Sequence, residues 1–476
     1  MPMPACPTQH HIGGRWLGEP TLTVTDPATG QPLARVPDAD AATALSALDA
    51  AAAAQPSWAA TEPRTRAEIL RRAFDLIVAD RDGFALLMAL EMGKPIAEAR
   101  SEVTYGAEFL RWFSEEAVRI HGRYGLSPQG ASRIITERVP VGPVYAVTPW
   151  NFPLAMAARK IAPALAAGCT VVLKPALAAP LTSLRLVEVL GEAGLPAGVV
   201  NVFTTADSAG VSAALLSDRR LRKLTFTGST EVGRRLLGLS AGNVLRTSME
   251  LGGNAPFIVL PDADVEQAVA GALVAKMRNN GQACTAANRF YVHASLADEF
   301  RSRLVAALSA WRVGPGVEKE TQLGALISRE AVAGIVGLID DALARGATLD
   351  LGGRPGDGPG AFLPPTVLSD VPPGARVVVE EIFGPVVALQ TFAEVDEVIA
   401  RANDTDHGLV GYVFGEERSA MDVARRLESG MVGVNTGLVS NPAAPFGGVK
   451  HSGLGREGSF EGIDEYLETK YYGVPL

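Results

Sequence analysis

Three short segments carry side chains able to run acyl chemistry. Cys284 lies in GQACTAANR (281–289), Glu250 in MELGGN (249–254) and Asn151 in TPWNFPL (148–154). A cysteine serves as a nucleophile when it is partly exposed and its pKa is lowered. A carboxyl among apolar and glycine neighbours is costly to bury ionised, and desolvation lifts its pKa toward the range of a general base. A side-chain amide can donate to an oxyanion. Taken singly, each residue also has a structural reading. Asn151 can cap a turn, Glu250 can bond backbone N–H groups, and a lone cysteine is usually core, as Cys169 in CTVVLK is read. Cys284 differs from Cys169 because Gly281 and Gln282 precede it, a polar and flexible setting.

Two further segments have the makings of a phosphate site. FTGSTEVG (226–233) is a strand–turn–helix junction whose glycines are five apart, not in the GxGxxG spacing. Alone it reads as a tight turn, but N–H groups at a helix start favour a pyrophosphate. Lys174, in LKPAL (173–177) at the end of an expected strand, reads alone as a surface lysine. Opposite that helix start on an adjacent strand, it becomes a phosphate or ribose contact.

The elements that must position these residues follow from the hydrophobic pattern. Residues 40–121 read as helical, with an Asp cap and an apolar 3.6-residue period that stops at Gly93. Residues 122–141 are turn-rich and then alternate as a strand does. From 143 to about 240 short buried-strand runs alternate with helices, and a second alternating region runs from 254 to GMVGVN, with a helix at 263–280. Repeated βα units imply parallel sheets covered by helices, with ligands at the C-terminal strand ends. The fold class is therefore α/β, with two parallel-sheet domains and a small β element.

Bulk properties exclude several function classes. A chain of 476 residues exceeds a single hydrophobic core. The 43 Lys+Arg against 52 Asp+Glu, without a long run of either sign, argue against nucleic acid or an anionic membrane as the main partner. The N-terminal residues show no apolar signal segment, and no apolar run of about 18 residues marks a membrane span. The three cysteines are scattered, and the six histidines form no metal pattern. That usage suits a cytoplasmic protein with no metal and no disulfide framework.

Together the stretches resemble the aldehyde dehydrogenase superfamily over essentially the whole chain. TPWNFP, KPA, FTGSTEVG, MELGGN, GQACTAANR, EEIFGPV (380–386) and PFGGVKHSGLGREG (445–458) occur in the family order. The resemblance implies that Cys284 attacks an aldehyde, that Asn151 and the Cys284 backbone N–H hold the oxyanion, and that Glu250 activates the water that hydrolyses the thioester. It implies an NADP or NAD site with contacts at Thr148, Pro149, Trp150, Lys174, Leu177, Gly228, Ser229, Gly233 and Leu251, and ribose contacts on the nicotinamide side at Glu381 and Phe383. It further implies a dinucleotide-binding domain over 1–121 and 142–250 and a catalytic domain over 251–442. An oligomerisation element at 122–141 and 455–476 would build a homodimer or homotetramer.

WNFPLAMAARK, KMRNNGQACTAANRFYV and GLVSNPAAPFGG are similar to the succinate-semialdehyde dehydrogenase subgroup. In that subgroup two arginines and a serine bind the distal carboxylate, and Arg159, Arg278 and Ser440 stand at those positions. A small monoanionic aldehyde suits guanidinium forks. The rival readings are a broad-specificity aldehyde dehydrogenase, a CoA-acylating enzyme, which the presence of Glu250 disfavours, and a non-catalytic protein on the same fold. Two departures stand out. Leu177 follows KPA where NAD-preferring members often carry Glu, so it neither accepts ribose hydroxyls nor repels a 2′-phosphate, which tilts the expectation toward NADP or dual use. Ala286 occupies a position where several members have a second cysteine, so Cys284 has no thiol neighbour in its own loop.

Overall fold

A computed structural model describes residues 3–476. Its frame is two sheets. The first has eight strands in the order Arg15–Leu17, His10–Ile12, Val200–Val202, Val171–Lys174, Val144–Val147, Lys223–Thr227, Arg246–Glu250 and Gly453–Leu454. Its five central strands pair in parallel and only the edges are antiparallel. Val144–Val147 and Val171–Lys174 are short, fully buried, Val-rich strands, as expected of a sheet covered on both faces.

The second sheet has seven strands in the order Thr348–Leu351, Thr366–Ser369, Val386–Phe392, Ala287–His293, Ala255–Val259, Val410–Phe414 and Met431–Val434. It is parallel apart from its first pair. A third sheet joins Leu467–Pro475, Ser132–Pro140 and Arg123–Leu126, so the segment 122–141 does leave the surrounding sheet. Among the described residues no helix is long and apolar enough to cross a membrane.

The 40–121 region forms four helices, Ala41–Ala59, Pro63–Ala79, Arg81–Met92 and Ile96–Glu116. Asp40 caps the first by accepting the Thr43 N–H at 2.8 Å. The helix Pro153–Ala167 is buried at every position and packs on Ile96–Glu116. Ile463, Tyr466 and Leu467, from the far end of the chain, complete the same core.

Two expectations need correction. The helix expected over 263–280 ends at Met277, because Asn279 and Asn280 take left-handed φ values of 59° and 58° and break the ladder. The N-terminal hairpins His10–Ile12/Arg15–Leu17 and Leu22–Thr25/Pro32–Val36 were not anticipated from the sequence. The Gly13–Gly14 dipeptide is the turn signal that marks the first of them.

Candidate active site

The C-terminal ends of the first-sheet strands face the start of the Ala287–His293 strand across a cavity of about 230 Å³. Cys284, Glu250 and Asn151 all line it, and so do Arg159, Arg278 and Ser440. Of the expected cofactor residues, Pro149, Trp150, Gly228, Ser229, Leu251, Glu381 and Phe383 also reach this cavity. Lys174, Thr148, Leu177 and Gly233 lie outside its lining.

The loop bearing Cys284 is held in place from three sides. Asn280 donates to the Ala325 carbonyl at 2.9 Å and accepts the Gly324 N–H at 2.8 Å. Gln282 accepts the Ile327 N–H at 2.9 Å. Gly281 sits at φ 74°, and a Cβ there would lie 2.3 Å from the Gly384 carbonyl carbon, so only glycine fits. Gly253 of MELGGN does the same on the other side, where a Cβ would meet the Cys284 carbonyl oxygen at 2.6 Å. The two glycines thus bring three motifs, far apart in sequence, into backbone contact.

Cys284 itself is half-buried, and burial pushes its thiol up to about 12, with Arg159 pulling in the opposite direction. The resting thiol is therefore on the neutral side, opposite to the lowered pKa expected of a thiolate nucleophile, because burial outweighs the nearby guanidinium. Glu250 ends the strand Arg246–Glu250 and its Oε2 is buried without a hydrogen-bond partner. Burial first, and the charge of Glu457 second, lift its carboxyl well above the ordinary range. Among the described residues nothing binds that oxygen, so it is free to meet a molecule in the cavity.

Asn151 is anchored by a polar network buried under the turn. Lys94 forms a buried ion pair with Glu102 and also donates to the Asn151 carbonyl at 2.9 Å. Glu102 accepts the Leu154 and Ala155 N–H groups at 3.0 and 3.1 Å, where the helix Pro153–Ala167 begins. Asn279 donates to the Asn151 carbonyl at 2.9 Å and to the Gln282 carbonyl at 3.0 Å. The Asn151 amide gives one N–H to the Gln282 carbonyl at 3.0 Å. An amide carries two N–H groups, and this bond uses one of them, while the amide oxygen is buried without a partner.

The arginines differ. Arg159 is 1% exposed, stacks on Phe446 at 4.1 Å and approaches Glu457 at 2.5 Å through Nε. That contact is charge to charge with poor hydrogen-bond geometry, since Nε and Nη1 keep unmet N–H capacity. Lys160 completes the cluster with a 2.6 Å bond to the other Glu457 oxygen. Burial opposes charge on Glu457, but Lys160 and Arg159 outweigh it and hold the carboxyl below its usual range. Arg278 is freer. Its guanidinium lies 5.1 Å from the Phe152 ring and donates only weakly, at 3.4 Å, to the Thr285 hydroxyl. It stands between the main cavity and a second one of about 410 Å³, both lined by Tyr105, Phe152, Arg278 and Ser440.

The residues outside the cavity also have defined positions. Lys174 is buried and donates to the Ser208 hydroxyl at 3.2 Å, and burial lowers its ammonium to about 8. Thr148 has a buried, unpartnered hydroxyl, and its N–H bonds the Lys174 carbonyl at 3.2 Å. Leu177 packs against the first core. Gly233 lets the helix Thr230–Ser240 lie on Leu251, and Ser229 caps that helix through the Val232 N–H at 3.4 Å. Trp150 and Phe383 meet edge to face at 5.5 Å. Orphaned hydroxyls, a buried ammonium and a capped helix start make a donor set that fits a dinucleotide.

The Aldehyde dehydrogenase family profile matches residues 16–472. The chain belongs to the aldehyde dehydrogenase family. It is accordingly an NAD(P)-dependent oxidoreductase, in line with relatives whose names specify NADP and neighbouring structures that hold NAD+. Among its relatives, a succinate-semialdehyde dehydrogenase of Paenarthrobacter nicotinovorans is 56% identical, covering 93% of this chain and 98% of the relative. An NADP-dependent succinate-semialdehyde dehydrogenase of Escherichia coli is 48% identical over 98% of this chain and 97% of that one. A glutarate-semialdehyde dehydrogenase of Pseudomonas putida is also 48% identical, over 98% of each. The crystal structure of a Burkholderia pseudomallei succinate-semialdehyde dehydrogenase superposes with a TM-score of 0.97 at 47% identity, covering 99% of this chain and 98% of that one.

Sequence reasoning passed over several residues of the site. Glu457 and Lys160 stood inside quoted motifs without a role, and Lys94 and Glu102 read as ordinary polar positions of a helical region. Their burial gives them away, and burial is a tertiary property. A signal did exist for Phe152, an aromatic side chain immediately beside the candidate oxyanion donor.

Proposed function

We propose that the protein oxidises succinic semialdehyde to succinate with NADP or NAD. The observation that carries this reading is Arg278, a guanidinium that forms no ion pair among the described residues and lines the same cavity as the Cys284 thiol. Ser440 and the free Nη1 of Arg159 add donors for the distal carboxylate. Relatives named for semialdehydes support the same substrate class.

The reaction uses this chain's residues in order. The Cys284 sulfur bonds the aldehyde carbon, and the thiol proton leaves to a base in the cavity. The new oxyanion accepts the spare Asn151 N–H and the Cys284 backbone N–H. When bound, the nicotinamide cofactor supplies the hydride acceptor that turns this adduct into a thioester on Cys284. Lys174, Ser229 and Glu381 would hold the cofactor, together with the other cofactor residues named above. Glu250 then takes a proton from water, the hydroxide adds to the thioester carbon, and the C–S bond breaks to release the acid.

The test is a substrate panel of succinic semialdehyde, glutarate semialdehyde, butanal and benzaldehyde, each with NADP and with NAD. The kcat/KM should be highest for a semialdehyde. Arg278→Ala should cut that value by roughly 10- to 100-fold, because a hydrogen bond to a charged group contributes about 1.5–3 kcal/mol. Butanal should be spared, and equal losses on both would discard the carboxylate role. A second reading, glutarate semialdehyde, is favoured by the cavity beyond Arg278, which gives room for a longer chain.

The three-stranded sheet Arg123–Leu126, Ser132–Pro140 and Leu467–Pro475 is read as an oligomerisation element, giving a homodimer or homotetramer. Exposed Tyr124 and Tyr471 on it support that reading. Three free cysteines support residence in the reducing cytoplasm.

A further inference from the structure

Arg278 stands where the helix Val265–Met277 stops and the chain enters two successive left-handed residues, Asn279 at φ 59° and Asn280 at φ 58°. Asparagine tolerates that region better than most side chains, but two in a row persist only where the surroundings hold them. Both side chains are held. Asn280 is tied to Ala325 and Gly324, and Asn279 to the Asn151 and Gln282 carbonyls. The backbone N–H of Asn279 donates outside the turn altogether, to the Glu98 carboxyl group.

Glu98 reaches this turn from an element 181 positions earlier, the first turn of the helix Ile96–Glu116. It is half-buried, and with Arg278 and Asn279 it lines the outer cavity of about 410 Å³. A carboxyl that shares a cavity with a guanidinium is its natural salt-bridge partner. Among the described residues no ion pair joins these two, and the carboxyl is spent instead on the main chain directly after Arg278. The arrangement fixes the backbone beside the arginine and leaves its cation for a bound anion. Little else fixes that guanidinium, only the Phe152 ring at 5.1 Å and the long bond to Thr285 at 3.4 Å. Asn151 differs. Lys94 holds its carbonyl and Glu102 holds the helix start beyond it, so the oxyanion donor is anchored without Glu98.

We infer that Glu98 is a positioning residue for Arg278, holding through the Asn279 N–H the turn that aims the guanidinium at the distal carboxylate of the substrate. The inference rests on the reading of Arg278 as the receptor for that carboxylate. Glu98 is absent from the lining of the cavity that contains Cys284, so its effect falls on the choice of aldehyde and not on the reacting carbon.

Steady-state kinetics of the full chain with succinic semialdehyde and with butanal test this. The wild type is compared with Glu98→Ala, Glu98→Gln, Arg278→Ala and the double variant Glu98→Ala/Arg278→Ala. Glu98→Leu, which fills the space and accepts nothing, is measured in parallel so that a void is not mistaken for a lost bond. Glu98→Ala and Glu98→Leu should each raise the KM for succinic semialdehyde by about tenfold, the scale of one charged contact, with kcat and the butanal kinetics nearly unchanged. Glu98→Gln keeps an oxygen acceptor for the Asn279 N–H and should recover most of that loss. In the double variant the Glu98 change should add nothing to Arg278→Ala, because no guanidinium is left to aim. A purely structural Glu98 would lower kcat on both aldehydes alike, and that result overturns the inference. So do an unchanged KM in Glu98→Ala and Glu98→Leu, or additive losses in the double variant. If Arg278→Ala separates the two aldehydes and the Glu98 variants do not, the inference alone fails. If Arg278→Ala does not separate them, the carboxylate reading falls and takes the inference with it.

Discussion

At the scale of single residues, the site divides labour between groups that the fold keeps neutral and groups that it keeps charged. The Cys284 thiol and the Glu250 carboxyl are both pushed toward their protonated forms by burial, whereas Glu457 stays ionised between Lys160 and Arg159. Separate roles for Cys284 and Glu250 predict separate kinetic failures. Cys284→Ser should lower kcat by at least about a thousand-fold while cofactor binding persists. Glu250→Gln should retain a first-turnover burst of reduced cofactor and lose steady turnover, and stopped-flow traces without a burst would place Glu250 before the thioester. Lys174 makes a pH prediction. Its ammonium is lowered to about 8 in the free protein, and a 2′-phosphate requires the charged form. NADP affinity should therefore fall as pH rises above about 8, by up to about tenfold per unit for one linked proton, with NAD affinity flatter. Titrations between pH 7 and 10 that show equal slopes for the two cofactors would remove Lys174 from the phosphate contact.

At the scale of elements, the decisive feature is the polar network beneath TPWN. Lys94 and Glu102 are both buried, one tied to the Asn151 carbonyl and the other to the first N–H groups of the helix Pro153–Ala167. Breaking such a pair from one side costs about 3–5 kcal/mol. Lys94→Met should therefore lower the melting temperature and reduce kcat together, because the turn presenting Asn151 loosens with it. An unchanged kcat in a destabilised variant would show that the network holds the fold and not the amide. The elements differ in how far the sequence revealed them. The helices Pro63–Ala79 and Arg81–Met92 were legible because an apolar period runs through both to Gly93, and the buried parallel strands because several are Val-rich runs. The three-residue strands His10–Ile12 and Arg15–Leu17 are too short to show alternation. Asn151, Glu250 and Cys284 were legible as motifs, whereas Lys94, Glu102, Lys160 and Glu457 were not. A buried lysine in a helix has the same local signature as an exposed one.

At the scale of the whole molecule, the third sheet ties distant parts of the chain together. Leu467–Pro475 pairs with Ser132–Pro140 along its full length, and the Tyr472 hydroxyl reaches Glu137 at 2.6 Å across 335 positions. Removing residues 467–476 should leave Ser132–Pro140 with an open edge and shift the protein toward monomer in light scattering, with a lower melting temperature. Retention of the native assembly would separate this sheet from oligomerisation. The same pairing has a consequence for biosynthesis. The strand Ser132–Pro140 leaves the ribosome more than 300 residues ahead of its partner, which at about 5–20 residues per second is a wait of tens of seconds. Throughout that interval a nine-residue strand on the nascent chain has one edge unpaired, the kind of edge that recruits other strands. On polysomes, neighbouring nascent copies would expose the same edge, so native pairing with Leu467–Pro475 competes with pairing between copies.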